Sequence, residues 1–510
     1  MLLRPVIAVV IGALVATQSG PVRSGPLRPD VRRTGIAAKA CEDRVNDTVA
    51  KLEACIQQGS LWRRLARFQR IAENNPGPEG HPNRDTGTPG YRASVAYVAG
   101  LVQHAGYNVT IQQYTYRNSI VEGFPTFRAG RRSYVMGRDW LVARGSAGGA
   151  VSAAVEPPSR SSGGCASSDF AAFHRGNVAL VERGHCALDT EVANARAAGA
   201  VAVVLYEHPP APGAEPADGA QEARLIDPVD VPVIGMTPYD VGAGLLRQYR
   251  SGSAPTAQID VAIGHKSDLD YNLIADSPYG DPSKTVVLDA HLDSIYGEGM
   301  LDNASGSTTI LEIALNLAKT PTRNRLRYIW FGGEELGLLG SHYYTQHLSP
   351  AERKSIAFDV DADVTATPNF DILVADPQQA HNVAKFPPNV VPQSKIGNDE
   401  YARYFNKAGV VWRDAWFGND GTDSNAFSLI GVPNTGILTQ QDCCKRRWER
   451  KLWGGFLGNY EGEVPGRNGG CVDQPHRWCD NLSNNDPFVF ELASKATAYV
   501  AFKLANRRLP

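Results

Sequence analysis

Residues 285–307 read TVVLDAHLDSIYGEGMLDNASGS, and this stretch decides the fold. Thr285 to Ala290 is a short apolar run rich in β-branched residues, which predicts a buried strand. Past the loop, Ser305 to Ala318 has helical period, with Ile310, Leu311, Ile313, Ala314 and Leu317 on one stripe. Ser305 or Ser307 is the expected cap. Further strands are expected at Leu326–Phe331, Ser355–Val360 and Val432–Leu438, with helices at Leu336–Leu348 and Val489–Leu504. Strand–helix alternation of this kind predicts an α/β fold, a mixed and mostly parallel sheet with helices on both faces.

Upstream, Cys41 to Ala72 is helical in pattern, with Leu61, Leu65, Phe68 and Ile71 recurring at helix spacing. Ser94 to Ala105 predicts a helix, and Tyr107 to Tyr116 alternates as a strand. Composition shifts near Arg138 and returns near Gly264. Inside that region lies a strand–helix–strand unit, Val178–Val181, Asp189–Ala198 and Val201–Tyr206. A strand at Val231–Ile234 and a helix at Tyr239–Tyr249 follow. The expected organisation is a leader over 1–20, a remnant over 21–40, a larger domain from 41–137 and 265–510, and a smaller α+β domain inserted at 138–264.

The 510 residues carry 51 basic and 53 acidic side chains, a net charge of −2, so no electrostatic footprint for nucleic acid or an anionic membrane exists. Arg4 followed by the apolar run Val6 to Ala16 reads as a secretory signal. Helical, that run spans about 16 Å, short of the ~30 Å bilayer core, so no membrane attachment is expected after cleavage. Eight cysteines suggest pairing in an oxidising compartment. They cluster as Cys41 and Cys55; Cys165 and Cys186; Cys443, Cys444, Cys471 and Cys479. A continuous helix would hold Cys41 and Cys55 about 21 Å apart. Pairing them therefore requires a reversal near Asn46-Asp47.

The chemistry lies where the strand patterns run out. His291 follows the first strand, Glu334 and Glu335 follow the second after two glycines, and Asp363 follows the third. Asp302 precedes a helix, where the dipole favours a carboxylate. Ligands of open α/β sheets collect beyond the carboxyl ends of strands. Imidazole and carboxylate without thiolate suit zinc, and two ions a few ångströms apart need a carboxylate between them. Asp293 is expected to fix the tautomer of His291. Of the adjacent glutamates, one should hold metal and the other activate water as general base. Asp361, His342 and His347 read as ordinary caps or hydrogen-bonded surface groups.

AHLDSIYGEGMLDNASGS (290–307), WFGGEELGLLGS (330–341), DADVTATPN (361–369) and HRWCDNLSN (476–484) together resemble the di-zinc aminopeptidase family, which includes secreted bacterial leucine aminopeptidases and aminopeptidase Y. NRDTGTPGYRASVAYV (83–98) resembles the same enzymes. The resemblance implies a zinc-peptidase phosphorylase/hydrolase-like fold and two Zn²⁺ per subunit. By motif position, His291 and Asp363 hold one ion, Glu335 and His476 the other, Asp302 bridges and Glu334 is the base. It further implies a secreted hydrolase of the N-terminal bond of peptides or proteins with a free amino terminus. GNVALVERGHCALDTEVANARAAGAVAVVLYE (176–207) resembles the non-catalytic protease-associated (PA) domain. Two departures stand out: Pro475 where a Tyr usually precedes the last zinc-binding His, and Thr422-Asp423-Ser424-Asn425-Ala426-Phe427 in place of a Ser-Asp-His-x-x-Phe run.

Competing readings are a zinc carboxypeptidase or dipeptidase, with Arg413 as the candidate for a substrate carboxylate, a glutaminyl cyclase-like acyltransferase, and a receptor-like homologue that should have lost ligands. Trp448, Leu452, Trp453, Phe456 and Leu457 can either line an apolar pocket, favouring Leu, Met or Phe as first residue, or pack as core.

Overall fold

The computed structural model describes residues 38–509 except 78–79, 161–162, 184, 210–219, 221–222, 224, 226–227, 381, 416–420, 441–444, 462–470 and 473–477. The leader 1–20, most of 21–40, Cys443, Cys444, Pro475 and the expected ligand His476 lie outside the described residues.

Asp281–His291 is the central strand, parallel to both Asn324–Phe331 and Ile356–Ala362. Asn434–Leu438 continues the parallel order beyond Ile356–Ala362. Leu373–Ala375, antiparallel to it, and Arg413–Ala415 finish that edge. Thr256–Asp276 joins antiparallel on the other side, giving the mixed, mostly parallel sheet.

Alternate residues enter opposite faces. Val286, Leu288, Ala290, Tyr328, Trp330 and Val360 pack with residues of the helices Gln58–Glu73, Ala304–Leu317 and Pro487–Asn506. Val287, Ile329 and Phe331 pack with Tyr344 and Phe427 on the reverse face. Both faces are buried, which is why these strands read as apolar runs and not as alternations.

Asn108–Ala129 and Thr256–Asp276 form a long antiparallel ribbon, from Asn108 opposite Asp276 to Ala129 opposite Ala257. The sequence pattern stopped at Tyr116, and the strand does not. Between Arg117 and Phe124 neither face is buried, so the period of two that marks a half-buried strand disappears while the backbone ladder continues. The far end of the ribbon enters a second core containing Phe127, Trp140, Val155, Val204 and Ile259. There Gly149–Glu156, Val178–Glu182, Ala202–Tyr206 and Val233–Thr237 run parallel in sequence order. The helices Leu188–Ala197 and Tyr239–Arg250 accompany them.

The single helical segment expected from Cys41 to Ala72 is three helices, Ala38–Glu42, Val49–Glu53 and Gln58–Glu73. The chain reverses at buried Asn46, whose Nδ2 donates to the carbonyls of Cys41 (3.1 Å) and Asn316 (2.6 Å). Cys41 and Cys55 are bonded across that reversal with Cα atoms 5.5 Å apart. Cys165–Cys186 and Cys471–Cys479 are also disulfides, so none of these offers a thiolate to zinc. Among the described residues no helix is long and apolar enough to cross a membrane.

Candidate metal centre

Register brings the candidate ligands together. His291 ends its strand opposite Phe331, and Asp361 pairs with Asp289, so the three parallel strands finish at one level. After Phe331 the chain passes Gly332 and Gly333 into a single 3₁₀ turn, Glu334–Leu336. The helix expected from Leu336 begins only at Leu339, because Gly337 (φ 106°) and Leu338 (φ 58°) are left-handed. Glu334 and Glu335 thus sit on a tight turn at the sheet edge and not in the first turn of a long helix.

His291 Nε2 lies 2.9 Å from Asp302 Oδ1, 3.4 Å from Asp363 Oδ1 and 4.0 Å from Glu334 Oε2. Donor atoms of His291, Asp302 and Asp363 all fall within 4.8 Å of one another, as do those of His291, Glu334 and Glu335. All five side chains are buried. Burial by itself opposes protonation of His291, but Glu334, Asp363, Asp293 and Asp302 together hold its pKa well above the usual range. A buried cluster with so many carboxylates around one imidazole calls for a cation. Zinc ligands at 2.0–2.2 Å in a tetrahedron are about 3.4 Å apart, the scale of these separations. The donors present fit zinc.

Asp293 meets His291 through both its main chain and its side chain. The nearest acceptor for His291 Nδ1 is the main-chain carbonyl of Asp293 at 3.1 Å, while the carboxylate is 3.6 Å away. That carboxylate accepts from Thr86 Oγ1 (2.7 Å) and from the backbone N–H groups of Glu334 (3.4 Å) and Glu335 (3.3 Å). It ties the glutamate turn to the histidine strand.

Asp302 enters from the other side, just ahead of the helix Ala304–Leu317. The cap of that helix is Asn303, whose side chain accepts from Gly306 N at 2.8 Å. The two serines expected as caps serve elsewhere: Ser305 Oγ donates to Leu301 O, and Ser307 Oγ donates to His291 O at 2.6 Å. A Cβ on Gly306 would stand 1.9 Å from Ala362 O, so only glycine lets the helix start against the strand that delivers Asp363.

Two anchoring residues lie inside the family-like stretches, which gave them no role. Asp480 accepts from the N–H groups of Leu301 (2.8 Å) and Asp302 (3.1 Å), and burial pushes its carboxyl up to about 8. Arg84, fully buried, donates to the carbonyls of Leu292, Glu298 and Gly299, each at 2.7 Å. It spans both ends of the loop between His291 and Asp302. Desolvation lowers its pKa to about 10. Only the family-like stretch 83–98 flagged the position of Arg84, and nothing local signalled its partners.

Other expectations need correcting. Asp361 is no surface group: it is buried beside Asp289, Asp363 and Asp423, and burial pushes it well above the carboxylate range. Asp423, of the altered motif, is held at about 7, first by burial. Arg413 lies on the outermost strand, with three strands between it and that of His291, which at about 4.8 Å per strand is about 19 Å. Its guanidinium stacks on Trp448 at 4.6 Å. Trp453 is buried and donates to Val411 O at 2.7 Å, so part of the apolar segment is packing beside that distal edge. Arg144, in the stretch expected to belong to the inserted domain, reaches the centre: its Nη1 lies 3.4 Å from Glu335 O and its Nη2 lies 3.3 Å from Tyr296 Oη.

Residues 272–492 match peptidase family M28, and residues 149–243 match the PA domain. A Pseudomonas aeruginosa protein named aminopeptidase is 30% identical over 470 residues, covering 88% of this chain and 81% of its own. Among solved structures, the aminopeptidase from Aneurinibacillus sp. strain AM-1 superposes with a TM-score of 0.67 at 19% identity, covering 91% of this chain and 97% of that one. The zinc aminopeptidase BSAP from Bacillus subtilis gives 0.61 at 20% identity over 89% and 96%. These two speak for the fold. Likeness sustained across most of both sequences, beyond the ligand motifs alone, makes this chain a member of peptidase family M28.

Proposed function

We propose that this protein is a secreted di-zinc aminopeptidase that removes N-terminal residues from peptides and proteins. The observation that carries it is the meeting of His291, Asp302, Asp363, Glu334 and Glu335 in two overlapping donor groups at aligned strand ends. In this reading His291 and Asp363 would hold one zinc and Glu335 and His476 the other, with Asp302 as a ligand to both. His476 precedes by four positions Asp480, which grips the backbone of Asp302. When bound, zinc supplies Lewis-acid polarisation of the scissile carbonyl and eases deprotonation of water.

Glu334 takes the proton from the attacking water and passes it to the leaving amine. Asp293 keeps that carboxylate aimed by holding the two N–H groups of its turn. The surrounding carboxylates hold the substrate ammonium, which confines cleavage to the first residue. With the inserted PA domain taken as 138–264, Arg144 is a point of contact between that domain and this centre. Disulfides at Cys41–Cys55, Cys165–Cys186 and Cys471–Cys479 support the oxidising compartment.

The test pairs metal analysis with peptides whose amino terminus is free or acetylated. Two zinc per chain, activity lost on chelation and regained with zinc, and cleavage of the free peptide alone are expected. Equal cleavage of the acetylated peptide would refute aminopeptidase action.

A further inference from the structure

A second group of metal-binding side chains lies outside the catalytic centre. Val178–Glu182 and Ala202–Tyr206 are adjacent parallel strands, with Glu182 opposite Tyr206. Their carboxyl ends deliver Glu182, then His185 three residues on, and His208 two residues past Tyr206. The Cys165–Cys186 disulfide anchors the position next to His185. Donor atoms of Glu182, His185 and His208 all fall within 4.8 Å of one another.

The separations are of the size that coordination to one ion requires. Glu182 Oε1 faces both rings, His208 Nδ1 at 3.4 Å and His185 Nε2 at 3.7 Å. The His208 contact is a long hydrogen bond, and both separations exceed the about 2.7–2.9 Å of a strong charge-assisted one. Donors sharing a tetrahedral zinc stand about 3.4 Å apart. The ring planes cross at 77° with centroids 5.5 Å apart, so the imidazoles converge on the carboxylate without stacking. Tyr206 Oη donates to the other oxygen, Oε2, at 3.2 Å, the outer contact that orients a ligating carboxylate. The Glu182 side chain is 18% exposed and the imidazoles 40% and 47%, so the fourth position opens to solvent.

We infer that Glu182, His185 and His208 form an accessory Zn²⁺ site on the inserted domain, with three protein ligands and one position open to water or an added ligand. Two imidazoles and a carboxylate select a borderline divalent cation over calcium or magnesium. Binding ties the chain after Ala202–Tyr206 to the disulfide-anchored loop after Val178–Glu182. The site is independent of the proposed catalytic assignment.

The test uses the full chain, stripped with chelator and titrated with zinc against a competing chelator. The His185→Ala/His208→Ala variant should bind one zinc equivalent fewer than wild type while keeping peptidase activity, which shows that it is folded. Glu182→Gln should weaken that equivalent by at least tenfold, since loss of an outer contact to a ligand already costs about that much. The conservative His208→Gln should do the same, and calcium in place of zinc should leave the site unfilled. Equal zinc stoichiometry in wild type and double variant overturns the site. Unchanged affinity in Glu182→Gln overturns its donor set.

Discussion

Asp293→Asn separates two roles that one carboxylate can play in this centre. The two oxygens accept from different groups: Oδ1 from the N–H of Glu334, and Oδ2 from the N–H of Glu335 and from Thr86 Oγ1. Asparagine keeps one oxygen and replaces the other with an NH₂. In either orientation a buried backbone N–H then faces a donor, and a buried polar group left unsatisfied costs about 1–3 kcal/mol. If that cost falls on the turn carrying Glu334, kcat should drop about 5- to 150-fold, at about 1.4 kcal/mol per tenfold. Zinc affinity should change little, because the carbonyl that faces His291 Nδ1 at 3.1 Å belongs to the main chain and survives the substitution. Single-turnover kinetics on zinc-saturated variant, together with a chelator-competition titration, measure the two effects separately. If zinc binding weakened by about 10–100-fold while kcat of the saturated enzyme was unchanged, the carboxylate would be fixing the imidazole and not the turn.

Glu334→Gln should retain wild-type zinc content and lose about 10²- to 10⁴-fold in kcat, as removal of a general base does; turnover within tenfold of wild type at full metal content would overturn the assignment. Arg144→Ala removes the contact of the inserted domain with Glu335 O and Tyr296, so kcat/KM should fall a few-fold with the melting temperature unchanged, and identical kinetics would confine Arg144 to a structural part. Replacing Cys41 and Cys55 together with alanine opens a loop of 14-residue separation, and denaturant melts should show a loss of about 3 kcal/mol. A set of aminoacyl anilides should rank Leu, Met and Phe above Lys and Asp; the reverse order would refute the apolar preference.

The sheet and the rim where the candidate ligands meet were legible because both leave local marks. A strand buried on two faces is mainly apolar, as Thr285–Ala290 and Leu326–Phe331 are apart from Asp289 and Arg327, and a polar residue just past such a run stands at the carboxyl end of the sheet. His291, Glu334, Glu335 and Asp363 were therefore readable one at a time. The inserted strand–helix–strand was readable for the same reason, with Val178–Glu182 and Ala202–Tyr206 close to their expected bounds. Where packing vanished, so did the signal: the ribbon past Tyr116 exposes both faces and carries no alternation.

By itself the sequence determined which residues are apolar, at what period, and which donors follow each strand. Only the tertiary structure decided what holds those donors in place. Arg84 clasps carbonyls more than 200 positions away, and Asp480 grips the amides of Leu301 and Asp302 from nearly 180 positions away. Asp361 turned inward and Arg413 went to the far edge because of strand order, which no local pattern encodes. Periodicity reports the environment of one element. A hydrogen bond between distant segments depends on how the elements are stacked, and that is settled only when the chain packs.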